Sequence, residues 1–278
     1  MALAVFDFES QYLTGNTKVG IIMPDKPRGV SPGQFYLSKR KYKVLWLLHG
    51  GSGDYSDWIR KSNVELYACE HELIVVMPSA SNSWYIDCPG FGNGYYFEKY
   101  FVEELMPLIH HWFPASDKRE DNYIAGLAMG GRGAFKLAIE HPEKFCAAAN
   151  FSGDIPDWEK AFESNNPRIK KRTSNMTAQE GSRENLLKSG INIRRTLKQI
   201  SEAGRLDEMP KLFFAGGKAE RRYSDFIDSI AFGRSLGFTI YQGNSEGGHS
   251  WEYWDKELEE ALQFFGFDTK EEDRKSVV

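Results

Sequence analysis

Cysteine is scarce in this chain: Cys69, Cys88 and Cys146 are the only three, and their spacings are unrelated. An odd count without a repeating interval argues against a disulfide framework and makes a reducing, cytoplasmic compartment the expectation. The first residues, Met1 to Asp7, lack the basic and apolar stretches of a secretion signal, which points the same way. No apolar run approaches the ~20 residues needed to cross a bilayer, so no membrane partner is expected. Positive charge is short as well. With 35 Lys and Arg against 39 Asp and Glu the net charge is −4, which leaves no basic stripe for nucleic acid. What is present is ordinary for a globular protein: 41% hydrophobic and 27% charged residues over 278 positions, enough for one large α/β domain.

Short apolar, β-branched runs alternate with helical patterns. The runs are Val19–Met23, Val44–Leu48, Ile74–Met77, Tyr123–Ala125, Ala147–Phe151, Leu212–Ala215 and Phe238–Tyr241. Helical periodicity covers Trp58–Glu70, Phe97–Trp112, Arg132–Glu140, Tyr223–Leu236 and Trp251–Phe265. This alternation predicts an α/β fold with a mostly parallel central sheet flanked by helices. A turn near Thr14-Gly15-Asn16 predicts an N-terminal antiparallel hairpin on the sheet edge. Residues 1–268 read as a single domain, and residues 154–209 break the pattern as a polar, lid-like insertion. Short helices Thr177–Lys188 and Ile191–Ala203 are expected there, with Thr177 and Glu180 placed as a capping box. The charged tail 269–278 is expected to fray.

One further absence concerns a single side chain. Gly126-Leu127-Ala128-Met129-Gly130-Gly131 has the frame of a Gly-x-Ser-x-Gly nucleophile turn, with alanine where the serine belongs. Small residues flank such a turn because the chain passes close to itself between strand and helix. Alanine carries no oxygen to acylate. Either a serine has been replaced, or the chain binds without turning over.

The partners of that turn are present in order. Serine chemistry needs a base, a carboxylate to orient it and donors for the oxyanion. Of the six histidines, His249 lies in the glycine-rich loop Gly247-Gly248-His249-Ser250-Trp251, before the last helix, which suits a general base. His141 sits in a capping context, His71 in a charged stretch, and adjacent His110 and His111 point to different helix faces, so no metal site is expected. After the Leu212–Ala215 strand, Glu220 is placed to reach His249, with Asp225 as the alternative acid and surface pairing with Arg221 or Arg222 as the plain structural option. The loop His49-Gly50-Gly51-Ser52-Gly53 can offer the amide of Gly51 or Ser52 to an oxyanion, and Met129 the second amide.

Taken together, these motifs resemble the esterase-D-like α/β-hydrolases, which include bacterial tributyrin, cinnamoyl and feruloyl esterases. The matching pieces are Leu47-Leu48-His49-Gly50-Gly51, Val75-Val76-Met77-Pro78, Ser81-Asn82-Ser83-Trp84-Tyr85, the turn around Ala128, and Gly248-His249-Ser250-Trp251-Glu252-Tyr253-Trp254. The resemblance implies an α/β-hydrolase fold and a cofactor-free, metal-free serine esterase, often a homo-oligomer, acting on a small-molecule ester. Two positions depart from it: Ala128 replaces the family's serine, and Glu220 falls where aspartate is usual. The preferred reading is a carboxylic ester hydrolase in an engineered, inactive Ser-to-Ala form. A natural pseudo-esterase that binds ligands or scaffolds a partner, and an acyltransferase on the same fold, are the alternatives.

Aromatic residues, at 14%, are abundant and cluster near these motifs. Trp58, Trp84, Tyr85 and Trp251 are candidates for lining an acyl pocket, which points to short-chain or aromatic acyl esters. Tyr95 and Tyr96 are expected in the core or covering the sheet.

Overall fold

The computed structural model describes residues 2–267. Its strands are β1 (Ala2–Ser10), β2 (Gly15–Met23), β3 (Val44–Leu48), β4 (Ile74–Pro78), β5 (Asp87–Cys88), β6 (Tyr95–Tyr96), β7 (Asn122–Leu127), β8 (Ala147–Phe151), β9 (Lys211–Ala215) and β10 (Ile240–Gln242). Eight of them form one sheet in the order β1-β2-β4-β3-β7-β8-β9-β10, and β5 and β6 form a small separate hairpin. β2 runs antiparallel to β1 and β4, while every neighbouring pair from β4 to β10 is parallel. This is the α/β-hydrolase arrangement. Strands covered on both faces need apolar residues at every position, and β3, β4 and β8 are buried end to end.

Helices cover both faces. One layer of core gathers Trp46, Phe101 and Phe135, and the other gathers Trp58, Tyr123, Trp254 and Leu258. Pairing of Leu48 with Gly126, Leu127 with Phe151, and Phe151 with Ala215 brings the ends of β3, β7, β8 and β9 level. The loops that leave these strands therefore meet along one sheet edge, where open α/β sheets bind ligands.

Several boundaries differ from the sequence expectation. The Trp58–Glu70 pattern is two helices, Asp57–Lys61 and Val64–Glu70, because the Asn63 backbone and side chain turn aside to bond Asp255. Helix from Phe97 to Trp112 is unbroken but widens to π geometry over Tyr100–Leu105, just before Pro107, which has no N–H for the helical ladder. The last strand falls at Ile240–Gln242 rather than Phe238–Tyr241. In the insertion, four α-helices form, Trp158–Glu163, Pro167–Glu180, Arg183–Lys188 and Ile193–Glu202, followed by a 3-10 turn at Leu206–Glu208. Thr177 lies inside the second of these, so it is no cap; Asn166 caps that helix, with Pro167 at its first position. The insertion packs on the β5 segment through its own cluster, which includes Ile86, Cys88, Trp158, Leu186 and Ile191. The tail expectation for 269–278 lies outside the described residues. No helix among those described is long and apolar enough to cross a membrane.

Glu257 of the last helix is 1% exposed, and its Oε2 has no hydrogen-bond partner among the described residues. Burial, with Glu260 nearby, pushes this carboxyl up from 4.5 to about 8. A raised folded value means stability that is full below pH 4.5 and is lost as the pH rises through about 8. Glu257→Gln removes that titration. Its melting temperature is expected to exceed the parent's by a few degrees at pH 9, roughly 2–4 °C per kcal/mol, with the gap closing toward pH 5. A constant gap between pH 5 and 9 in differential scanning fluorimetry would contradict this account.

Candidate active site

The turn at residue 128 is built by close approach. A Cβ on Gly126 would meet Gly130 backbone at 2.5 Å, and one on Gly130 would meet the carbonyl oxygens of Leu48 and His49 at 2.5 Å. Only glycine fits there. Between them Ala128 adopts φ 49° and ψ −111°, a strained conformation for a non-glycine residue, and helix Met129–Glu140 begins at once. The first-turn amide of Met129 has no acceptor within its helix, so it is available to a ligand. Ala128 and Met129 both line a cavity of about 540 Å³ at the sheet edge.

His249 and Glu220 line the same cavity. Glu220 Oε2 accepts from His249 Nδ1 at 2.9 Å, which leaves Nε2 as the ring's other functional nitrogen. Glu220 Oε1 accepts from the Gly217 amide at 2.9 Å and from Ser152 Oγ at 2.5 Å. Ser152 in turn accepts from the indole of Trp254, whose ring meets His249 edge-on at 4.7 Å. Burial opposes the charge on Glu220, yet these donors outweigh it and hold the carboxyl below its usual range. The acid and histidine loops are tied together by Lys218 N–H to Ser245 and Ala219 N–H to Gly247. Asp225 bonds Arg222 instead, and Asp228 bonds Arg194, so neither reaches His249.

The loop after β3 approaches from the other side. A Cβ on Gly50 would lie 3.7 Å from that of Ala128, and Gly51 lines the cavity. The Ser52 amide is already bonded to Asn82 Oδ1 at 2.8 Å, which removes it as a donor to a ligand. His49 organises this loop. Its Nε2 accepts from Ala80 N–H, and Nδ1 donates to Gly50 O at 2.6 Å. Burial lowers its pKa, favouring the neutral ring that this pair of bonds requires.

Of the four aromatic candidates, only Trp84 lines the cavity. Trp58 is 1% exposed and donates its indole N–H to Leu48 O, because the helix that carries it packs beneath the sheet. Tyr85 is fully buried and bonds His49 O at 2.8 Å. Trp84 and Tyr85 both have positive φ, a kink that sends these neighbours to different surroundings. Trp251 stacks edge-on against Trp58 and Trp254 at the helix start. Trp58, Tyr85 and Trp251, expected to line an acyl pocket, thus lie outside the lining of this cavity. His110 contacts Asn122 and His111 contacts Pro107 O, so the two rings diverge.

Sequence reasoning missed Asn82, Arg132, Ser152, Asp154 and Arg222, all of which line the cavity. Ser152 could have been found: it directly follows β8, as the acid loop follows β9. Arg132 and Asp154, paired at 2.9 Å, are distant in sequence and carried no local signal.

The family described as "Putative esterase" matches residues 10–265. An acetyl esterase of Caldicellulosiruptor saccharolyticus is 27% identical, with 95% of this chain and 98% of that one aligned. Among solved structures, the fluorophosphonate-binding serine hydrolase F of Staphylococcus aureus, substrate bound, superposes with TM-score 0.79 at 26% identity, over 96% of this chain and 99% of that one. The S-formylglutathione hydrolase of the same organism gives TM-score 0.77 at 25% identity, over 95% and 98%.

Proposed function

The chain belongs to this esterase family, and on that premise we propose that its cavity is the site of a carboxylic ester hydrolase whose nucleophile position is held by Ala128. Carrying this reading is the single cavity shared by the strained Ala128 turn and the His249–Glu220 pair bonded at 2.9 Å. With a serine at 128, His249 Nε2 takes the hydroxyl proton as Oγ attacks the ester carbonyl. Glu220 holds the ring in that tautomer and stabilises its cation. The amides of Gly51 and Met129 receive the developing oxyanion, and His249 returns the proton to the departing alcohol. Water then repeats the sequence on the acyl-enzyme. Short-chain or aromatic acyl esters are the substrate class, with Trp84 on the cavity wall. As it stands, the chain holds an ester in this site without cleaving it, as expected of an engineered Ser-to-Ala form.

Ala128 itself favours a second reading, a natural pseudo-esterase that binds ligand without turnover. A fluorophosphonate probe separates the two. The chain as it stands is expected to resist labelling, and the Ala128→Ser chain to carry one adduct, mapped by mass spectrometry to position 128. An unlabelled, folded Ala128→Ser chain would favour the binding protein.

A further inference from the structure

A second cavity, about 570 Å³, adjoins the first and shares Trp84, Arg132, Arg221 and Arg222 with it. Its outer wall is the insertion helix Pro167–Glu180, which adds Arg168, Lys171 and Arg172. Six cations thus face one lining carboxylate, Asp225, in a chain whose net charge is −4. Asp154 neutralises part of this group: it bonds Arg132 at 2.9 Å and Arg222 at 2.6 Å, and Arg222 also reaches Asp225.

Arg172 is left over. Its guanidinium lies over the rings of Trp84 and Trp158 at 5.8 and 5.6 Å, and its buried Nε has no acceptor among the described residues. Arg132, itself 8% exposed, lies over Trp84 at 4.2 Å. Burial, then the charges of Arg132 and Arg222, pull the Arg172 guanidinium down to about 10, against a smaller upward pull from Asp154 and Asp225. Arg168, Lys171 and Arg221 are exposed, but the buried or half-buried members Arg132, Arg172 and Arg222 face only two carboxylates, Asp154 and Asp225, and an unpaired charge drawn out of solvent is costly. The cluster is short of an anion, and it opens onto the cavity that holds Ala128. Arg132 N–H bonds Ala128 O, so the cationic wall starts one helical turn from the reacting position.

We propose that this cationic annex binds a carboxylate carried by the ester substrate, with Arg172 as its principal partner and Trp84 as the wall between annex and reaction site. The proposal rests on the ester-hydrolase reading of the neighbouring cavity and names its substrate class. A guanidinium can take both carboxylate oxygens in parallel hydrogen bonds, which a neutral amide cannot reproduce.

The binding step is tested first without chemistry, on the chain as it stands. Calorimetric titration with para-acetamidobenzoate and para-acetamidobenzamide compares anion with neutral isostere, neither of them an ester. The benzoate is expected to bind roughly ten- to a hundredfold tighter, the scale of one charge-assisted pair. That advantage should shrink in ~0.5 M salt and be lost in Arg172→Gln. Equal affinities, or an advantage that survives Arg172→Gln, would overturn the proposal. Should Arg172→Gln fail to fold, the salt series and Arg168→Gln, on the same helix, decide the question in its place. In the Ala128→Ser chain, para-nitrophenyl glutarate places the carboxylate on the acyl side and para-acetoxybenzoate on the alcohol side. Whichever gains over its neutral analogue identifies the side that the annex holds. Failure of both to gain, in an enzyme that cleaves neutral esters, sinks the annex while keeping the hydrolase. An inert Ala128→Ser chain that still prefers the benzoate does the reverse.

Discussion

The Ala128→Ser chain is expected to hydrolyse para-nitrophenyl butyrate about 10⁶-fold faster than the chain as it stands, a difference of roughly 8 kcal/mol in barrier. The scale is that of deleting a triad serine in a well-studied protease. Its physical basis here is that the costly parts are already assembled. The backbone at 128 holds its strained φ of 49° with alanine in place, so a serine there needs no new distortion. Glu220 and His249 are already bonded, and Met129 already begins the helix. On the proposed reading, the added hydroxyl alone turns a binding site into an acylating one. Adding His249→Ala to Ala128→Ser should remove nearly all of the gain, because the two groups act as a unit and their losses do not add. Stopped-flow traces of the single variant should show an initial burst if deacylation is slower than acylation. A folded Ala128→Ser chain inert on short-chain, aromatic and thioester substrates would end the hydrolase assignment.

Glu220→Gln in the Ala128→Ser chain is expected to lower kcat about 10⁴-fold, the effect of the equivalent exchange in a serine protease. The hydrogen bonds specify why. Glu220 Oε1 faces two donors, Ser152 Oγ and the Gly217 amide, so a glutamine must keep its carbonyl oxygen there. Its NH₂ then points at His249 Nδ1, which must accept instead of donate. That tautomer carries its proton on Nε2 and cannot receive one from a serine. KM should change little, since both carboxylate oxygens are already taken by Ser152, Gly217 and His249. A drop confined to KM would show that Glu220 acts on binding rather than on the imidazole.

The parts legible in the chain were those written in local patterns. Strands covered on both faces demand unbroken apolar runs, so β3, β4 and β8 stood out. The glycines around Ala128, and those before His249, marked turns whose backbone must pass close to its neighbours, whatever the rest of the fold does. Their order along the chain then named Ala128, Glu220 and His249, which the fold brings to one cavity. Aromatic side chains were the least legible. Trp58, Trp84 and Tyr85 are alike in sequence, but burial and hydrogen bonding to Leu48 and His49 put two in the core and leave one at the cavity. Ser52 was lost to Asn82, a partner thirty positions away. The cationic annex was likewise invisible: Arg132, Arg172 and Arg222 belong to three separate helical regions, and only packing of the insertion gathers them around Trp84. Backbone turns and apolar periodicity are local consequences of steric and solvation rules. Which polar groups end up facing one another is settled by the tertiary fold, because a side chain's partner is chosen by space and not by sequence distance.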